Sequence, residues 1–197
     1  MLVWKISIWW YLFAGFWLMA FAILILFFKN LMNGEPFTAI PLTFTMFDNF
    51  KLLKGIFLAS IIEEIVWVGL ILTALQKWFP PLAASFILGI FWYLWWVPII
   101  IYGEAVIPNL PVAILWFHYL GIAATCAWVY YHTKSGLIVA FMQMLTNAVS
   151  LVVPILPHLS DMPTYITFII GKFIVAVLLF MLFGPKPLFR REQKLAY

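Results

Sequence analysis

Long apolar runs separated by short polar stretches make up most of the chain. Each run is about as long as the roughly 20 residues that an α-helix needs to cross a membrane, and none shows the ten-residue alternation of barrel strands. The runs lie at about residues 9–28, 55–75, 83–102, 111–131, 137–156 and 164–183. The pattern predicts an all-α, polytopic bundle of about six transmembrane helices.

Composition narrows the class of protein. Of the 197 residues, 66% are apolar and only 9% are charged, whereas a soluble domain carries about 25% charged residues. So few charges exclude a soluble globular protein, a disordered tail and a nucleic-acid binder. Cys126 is the single cysteine, so no internal disulfide is expected. We expect a multi-pass protein of the cell membrane, surrounded by lipid.

The basic residues predict the orientation of the bundle, because cytoplasmic loops carry an excess of lysine and arginine. One side would hold Lys5, Lys77, Lys134, Lys186, Arg190, Arg191 and Lys194, and the other Lys29, Lys51 and Lys54. We therefore expect both termini in the cytoplasm. Residues 1–54 would form an N-terminal anchor helix and outer loop, residues 55–184 the transmembrane core, and residues 185–197 a basic cytoplasmic tail.

Two adjacent carboxyl groups, Glu63 and Glu64, lie near the middle of the second run. An acidic side chain at mid-membrane costs roughly 3 kcal/mol on insertion scales, so such residues usually serve a function. Neighbouring helical residues point about 100° apart. Only one of the two glutamates is therefore expected to face a given site.

Other polar residues inside the runs are candidates for the same site. Gln143 and Asn147 are four residues apart and share a helix face, where amides either donate to a developing oxyanion or tie helices together. His118 falls at a depth similar to that of Glu63, whereas His132 and His158 fall in predicted loops. No pair of histidines has metal-ligand spacing, so neither a metal nor another cofactor is expected.

Lys172 falls within the sixth run and has three interpretations. Its long side chain snorkels to the interface, it pairs with a glutamate, or the run is misplaced.

The order of these residues resembles the CPBP family of intramembrane peptidases, which includes CAAX proteases and bacteriocin-processing proteins. The family signature reads Glu-Glu-x-x-x-Arg-Gly, then Phe-x-x-x-His, usually followed by Leu-Pro, and then His-x-x-x-Asn. The corresponding blocks here are EEIVWVG at 63–69, WYLWWVP at 92–98 and QMLTN at 143–147. The resemblance covers about residues 55–150 and implies a CPBP-like transmembrane core.

Three of the departures from the family signature replace side chains that bear on catalysis. Val68 stands where the family has arginine, Trp96 replaces the first histidine and Gln143 replaces the second. Tryptophan does not accept a proton as imidazole does. The family consists of endopeptidases, yet these replacements argue against efficient catalysis.

The resemblance implies a role for each retained residue. Glu63 would be the base that activates water, with Glu64 beside it, and Asn147 would donate to the oxyanion, with Gln143 as its helper. Trp92, Trp96 and His118 would line the pocket.

We therefore expect a weak or inactive intramembrane peptidase of a prokaryote. It would be retained to bind a hydrophobic or lipidated peptide, or a partner membrane protein, in immunity or envelope maintenance. One alternative is an active, glutamate-dependent intramembrane endopeptidase in which His118 replaces the missing imidazole. An alternative of another class is a small six-helix transporter subunit that captures a ligand between Glu63 and the tryptophans.

Overall fold

Helices account for the regular structure of the protein in the computed structural model, which describes residues 3, 5–37, 40–103 and 110–184. They are α1 (Ile8–Asn33), α2 (Phe50–Glu64, continued to Leu75), α3 (Pro81–Ile101), α4 (Val112–Thr133), α5 (Gly136–Val152) and α6 (Met162–Phe183). No strand occurs in these residues. The predicted all-α, multi-pass architecture is confirmed. The orientation stays a prediction, and the tail at 185–197 lies outside the described residues.

Among the described residues, five of the six helices are long and apolar enough to cross a membrane. The exception is α5, which was expected to reach residue 156 and instead ends at Val152 after 17 residues. Proline disfavours the helical conformation of the residue before it, and Val153, which precedes Pro154, is extended with φ −95° and ψ 128°. The outer loop covers this helix end, because Thr43 donates from its backbone to the Val152 carbonyl and from its hydroxyl to the Leu151 carbonyl.

A π-helical segment interrupts α2 directly after the paired glutamates. It spans Ile65–Leu72 and returns to α-helix at Thr73–Leu75. The Thr73 hydroxyl donates to the Gly69 carbonyl at 2.6 Å, inside the widened turns. π-Helical turns are rare and occur frequently at functional sites, and the hydropathy pattern did not predict this one.

The centre of the bundle is α4, which packs against α3, α5, α6 and the π-helical part of α2. Small residues allow its neighbours to approach closely, as is usual for helices packed in membranes. A Cβ at Gly89 of α3 would lie 2.9 Å from the Leu120 Cα, and one at Gly121 of α4 would lie 3.1 Å from the Phe173 Cα. Because α4 is held from both sides, the residues on it have well-defined positions.

Polar contacts join the helix ends on the side of the outer loop. Asp161 caps α6 by accepting a hydrogen bond from the Thr164 N–H at 2.7 Å, and it forms an ion pair with Lys29 near the end of α1. The Lys29 ammonium also donates to the Ser160 hydroxyl. These contacts fix the first helix against the last.

Candidate active site

A cavity of about 600 Å³ lies between α2, α3, α4, α5 and α6. Its outer part is lined by Asn49 and Lys51, which are exposed at the start of α2. Its inner part reaches Glu63, which lies about 18 Å deeper at 1.5 Å per residue. The cavity therefore opens on the side of the outer loop and leads to the middle of the bundle.

The structure separates the two adjacent glutamates. Glu63 is half-buried and lines the cavity, whereas Glu64 is 2% exposed and does not line it. One oxygen of Glu64, Oε1, lies 3.9 Å from the Cys126 sulfur, and the other, Oε2, is buried without a hydrogen-bond partner among the described residues. The rotation of about 100° between neighbouring helical residues explains the difference. Only Glu63 is in a position to contact a ligand.

The two amides of α5 reach the cavity from the helix that packs against α2. Gln143 and Asn147 both line it. Gln143 is 3% exposed, and its carbonyl oxygen has no partner among the described residues. Asn147 donates from Nδ2 to the Ser60 hydroxyl on α2 at 3.2 Å. The Asn147 amide therefore ties α5 to α2 while it faces the cavity.

Aromatic rings fill the position of the first family histidine. Trp96 lines the cavity and stacks on Tyr119, with ring centroids 6.4 Å apart and planes at 19°. Trp92 lines the cavity one turn earlier and stacks on Trp67 of the π-helical segment at 5.5 Å. These rings give the site an apolar wall of the kind that small-molecule pockets use.

His118 also lines the cavity, and its Nδ1 lies 3.0 Å from the Nζ of Lys172 on α6. Lys172 is fully buried, so it does not snorkel. It forms no ion pair with a glutamate among the described residues, and it lies well inside α6. None of the three sequence interpretations of Lys172 is therefore correct, because its polar partner is a histidine on the neighbouring helix.

The predictions for the other two histidines and for a metal site concern other parts of the bundle. His132 was expected in a loop, but it lies in the last turn of α4, where its ring stacks on Trp10 at 5.5 Å. His158 lies between α5 and α6, as expected. Within the described ranges, no group of three or more histidine, cysteine or acidic residues is close enough to hold a metal ion.

Sequence reasoning missed two tyrosines that line the cavity and one serine that supports it. Ser60 does not line the cavity, but its hydroxyl accepts the hydrogen bond of Asn147. Tyr119 and Tyr165 line the cavity, but aromatic residues are common throughout this chain. Nothing in the sequence distinguished these two tyrosines from rings that face lipid.

The site combines one carboxyl group, two amides and one imidazole around a shared cavity with aromatic walls. Such a set can hold a peptide carbonyl or a water molecule by hydrogen bonds. The positions of both family histidines, now Trp96 and Gln143, lie on the same cavity as Glu63 and Asn147. The three sequence blocks thus meet at one place, as they must if the resemblance is structural.

Comparison with known proteins agrees with this geometry. No curated protein sequence matches the chain. A family model described as type II CAAX prenyl endopeptidase Rce1-like matches residues 45–149, which is more than half of the chain and contains all three blocks. The resemblance to CAAX proteases is thereby confirmed, and the chain belongs to the Rce1-like family of type II CAAX prenyl endopeptidases.

Proposed function

We propose that this protein binds a hydrophobic or lipidated peptide, or a segment of a partner membrane protein, in the cavity and cleaves it weakly or not at all. The observation that carries the proposal is the shared cavity of Glu63, Trp96, Gln143 and Asn147. The residues that match the family blocks line one cavity, which supports a binding site, while both positions for imidazole hold other side chains.

The expected loss of rate is large. A positioned general acid or base contributes typically about 10²- to 10⁴-fold, and a single oxyanion donor about 10²- to 10³-fold. Trp96 supplies neither a base nor an acid, and its ring is stacked on Tyr119. Gln143 supplies at most a neutral hydrogen-bond donor. Hydrolysis of a peptide bond by this site is therefore expected to be slow.

The same features support binding. The cavity volume of about 600 Å³ is within the range of about 300–1,000 Å³ that is usual for ligand sites. Apolar rings suit a lipid chain or hydrophobic side chains, and the polar groups suit a peptide backbone. A carboxyl group inside a membrane is costly to keep, which supports a continuing role for Glu63. We place this role in the cell membrane of a prokaryote, in immunity or envelope maintenance.

A second candidate is a working, glutamate-dependent endopeptidase. It is favoured by His118, which brings an imidazole to the same cavity. The transporter alternative has no comparable support, because the family of the chain consists of endopeptidases.

The test uses purified protein in lipid nanodiscs and an S-farnesylated peptide that ends in a CAAX sequence. We expect wild type to bind the peptide and Glu63→Ala to bind it at least about tenfold more weakly, a difference of about 1.4 kcal/mol. Wild type should release no more cleaved product than Glu63→Ala. In cells, Glu63→Ala should abolish the immunity or envelope phenotype.

Glu35→Ala is the matched control, because Glu35 is exposed in the outer loop and does not line the cavity. It should bind the peptide like wild type. Glu63-dependent turnover of about 1 s⁻¹ or faster, an ordinary enzymatic rate, would contradict the proposal and favour the second candidate. Equal binding by wild type and Glu63→Ala would reject the proposed site.

A further inference from the structure

Lys172 is a buried basic residue that the family signature does not explain. It lies on α6, beyond the matched residues 45–149, and its side chain is fully buried. Intramembrane cations are rare and usually belong to a functional site. Among the described residues no carboxylate forms an ion pair with Lys172. Its polar contact is the Nδ1 of His118 at 3.0 Å, and its Nζ lies 5.6 Å from the centre of the Phe168 ring.

The direction of this hydrogen bond depends on the proton count of the two groups. A lysine ammonium has three donors and no acceptor, so next to a charged Lys172 the Nδ1 of His118 accepts. A neutral imidazole carries one proton, and the nitrogen that accepts is the one without it. With Lys172 as the donor, the proton of His118 lies on Nε2.

His118 lines the cavity, whereas Lys172 does not. The nitrogen left for the cavity is thus a donor and not a base. In an active peptidase, an imidazole that replaced the missing histidine would have to accept a proton from water. A protonated Nε2 does not accept a proton, so this tautomer does not fit that role.

We propose that Lys172 holds His118 in the Nε2–H tautomer and that His118 donates a hydrogen bond to a backbone carbonyl of the peptide bound in the cavity. Lys172 is a positioning residue that acts through His118. The ligand part of this inference rests on the proposed function, whereas the tautomer is a property of the protein without ligand. The binding site would then have donors on α4 and α5 around the same cavity as the carboxyl group of α2.

The first experiment measures the tautomer. Protein labelled with ¹⁵N-histidine is studied by NMR in nanodiscs, where protonated and unprotonated ring nitrogens have clearly different shifts, and His118→Gln identifies the signals of His118. We expect the Nε2–H tautomer in wild type and in Lys172→Arg, which keeps a charged donor. We expect a mixture of tautomers in Lys172→Met, which has no donor.

Thr125→Val is the matched control for packing. Thr125 is buried on α4 and donates only to the Gly121 carbonyl of its own helix, so its loss should leave the His118 signals unchanged. An Nδ1–H tautomer in wild type would mean that Lys172 accepts as a neutral amine, and it would overturn the proposal. Signals unchanged by Lys172→Met would also overturn it.

The second experiment adds the S-farnesylated CAAX peptide to the same samples. The Nε2 signal of His118 should shift on binding, and Lys172→Met should bind about tenfold more weakly, as expected for one well-placed hydrogen bond. Binding that leaves the His118 signals unmoved would overturn the donor role while the proposed function stands. No binding by wild type, with the tautomer as expected, would reject the proposed function while the effect of Lys172 on His118 stands.

Discussion

Trp96 and Gln143 stand at the two positions where the family carries histidine, and both side chains line the cavity with Glu63. The Glu63 carboxyl group and the Asn147 amide line the same cavity, so the proposed loss of activity involves single side chains and not the arrangement of the helices. The site is therefore close, in number of substitutions, to the pattern of an active peptidase.

Restoring both imidazoles should restore cleavage. We expect the double variant Trp96→His with Gln143→His to cleave the S-farnesylated CAAX peptide at least about 100-fold faster than wild type, the lower end of the contribution of one acid–base group. The measurement is product formation in nanodiscs. The gain should disappear when Glu63→Ala is added.

Trp95→His with Gln143→His is the matched control for this gain. Trp95 is the neighbour of Trp96 but is 62% exposed and does not line the cavity. This pair should stay as slow as wild type. A failure of Trp96→His with Gln143→His to cleave, in protein that melts like wild type, would show that more than the two imidazoles is missing.

At the scale of the helices, close contacts between neighbouring helices set the geometry of the site. α4 carries His118 and Tyr119, and it is wedged between α3 and α6 at Gly89 and Gly121. Between membrane helices, stability comes from packing and not from expulsion of water. Any displacement of α3 against α4 also displaces Trp96 against Tyr119.

Gly89→Ala should loosen this contact. The new Cβ would lie 2.9 Å from the Leu120 Cα, which is backbone and cannot rotate away. Overpacking of this kind costs typically about 1–3 kcal/mol. Gly55→Ala is the control, because a Cβ there meets nothing within 4 Å. We expect a lower melting temperature for Gly89→Ala, whereas Gly55→Ala should melt at or above the wild-type value. Equal melting temperatures would contradict the close contact.

The contact between α1 and α6 should respond to acid. The hydrogen bond from Lys29, together with that from the Thr164 backbone, lowers the pKa of Asp161 to about 2. A folded-state pKa below that of the unfolded chain stabilises the fold above the unfolded value, and this contribution is lost as the pH falls through the folded value. The Asp161 side chain is 41% exposed, so the effect is small, at most about 1 kcal/mol.

Asp161→Asn isolates the contribution of the ion pair to stability, because asparagine keeps the cap of α6 but has no charge. Between pH about 5 and about 2, wild type should lose more melting temperature than Asp161→Asn. Equal losses for the two proteins would contradict the ion pair.

The helices were predictable from the sequence because an apolar run of about 20 residues has few other structures available. The partners of the polar residues inside these helices were less predictable. The shared cavity of Glu63 and Asn147 was expected from the motif spacing, but the contact of Lys172 with His118 depends on how α6 is rotated against α4. The close packing at Gly121 constrains that rotation, and the hydropathy pattern does not predict it. The π-helical segment likewise has no signature in the apolar pattern.

At the scale of the whole molecule, the membrane topology of the helices decides from which side a ligand enters the cavity. The described residues form six helices, of which α5 is shorter than a usual span. Both termini lie on one side if all six cross the membrane. The cavity opens near Asn49 and Lys51, on the opposite side. With the termini in the cytoplasm, as the basic residues predict, the ligand enters from outside the cytoplasm.

Reporter fusions test this orientation. A fusion after Tyr197 should report the cytoplasm, and one inserted at Glu35 should report the outer side. A periplasmic signal from the C-terminal fusion would contradict the prediction.

Chemical labelling gives an independent measurement of the cavity mouth. The single cysteine, Cys126, is buried, so Lys51→Cys introduces one accessible thiol. We expect a membrane-impermeant maleimide to label this variant in intact cells, and the S-farnesylated peptide to slow the labelling. Labelling only after lysis would place the mouth in the cytoplasm.

Natural selection is expected to act on His118 and Lys172 together, although 54 residues separate them. Loss of His118 leaves the buried Lys172 amine without its hydrogen-bond partner, at a cost of typically about 1–3 kcal/mol. Loss of Lys172 leaves the imidazole free to change tautomer. Relatives that lack both family histidines should therefore carry the two residues as a pair or neither of them. Because Lys172 lies beyond the matched residues, such a lineage would be recognised by co-variation between the fourth and sixth helices.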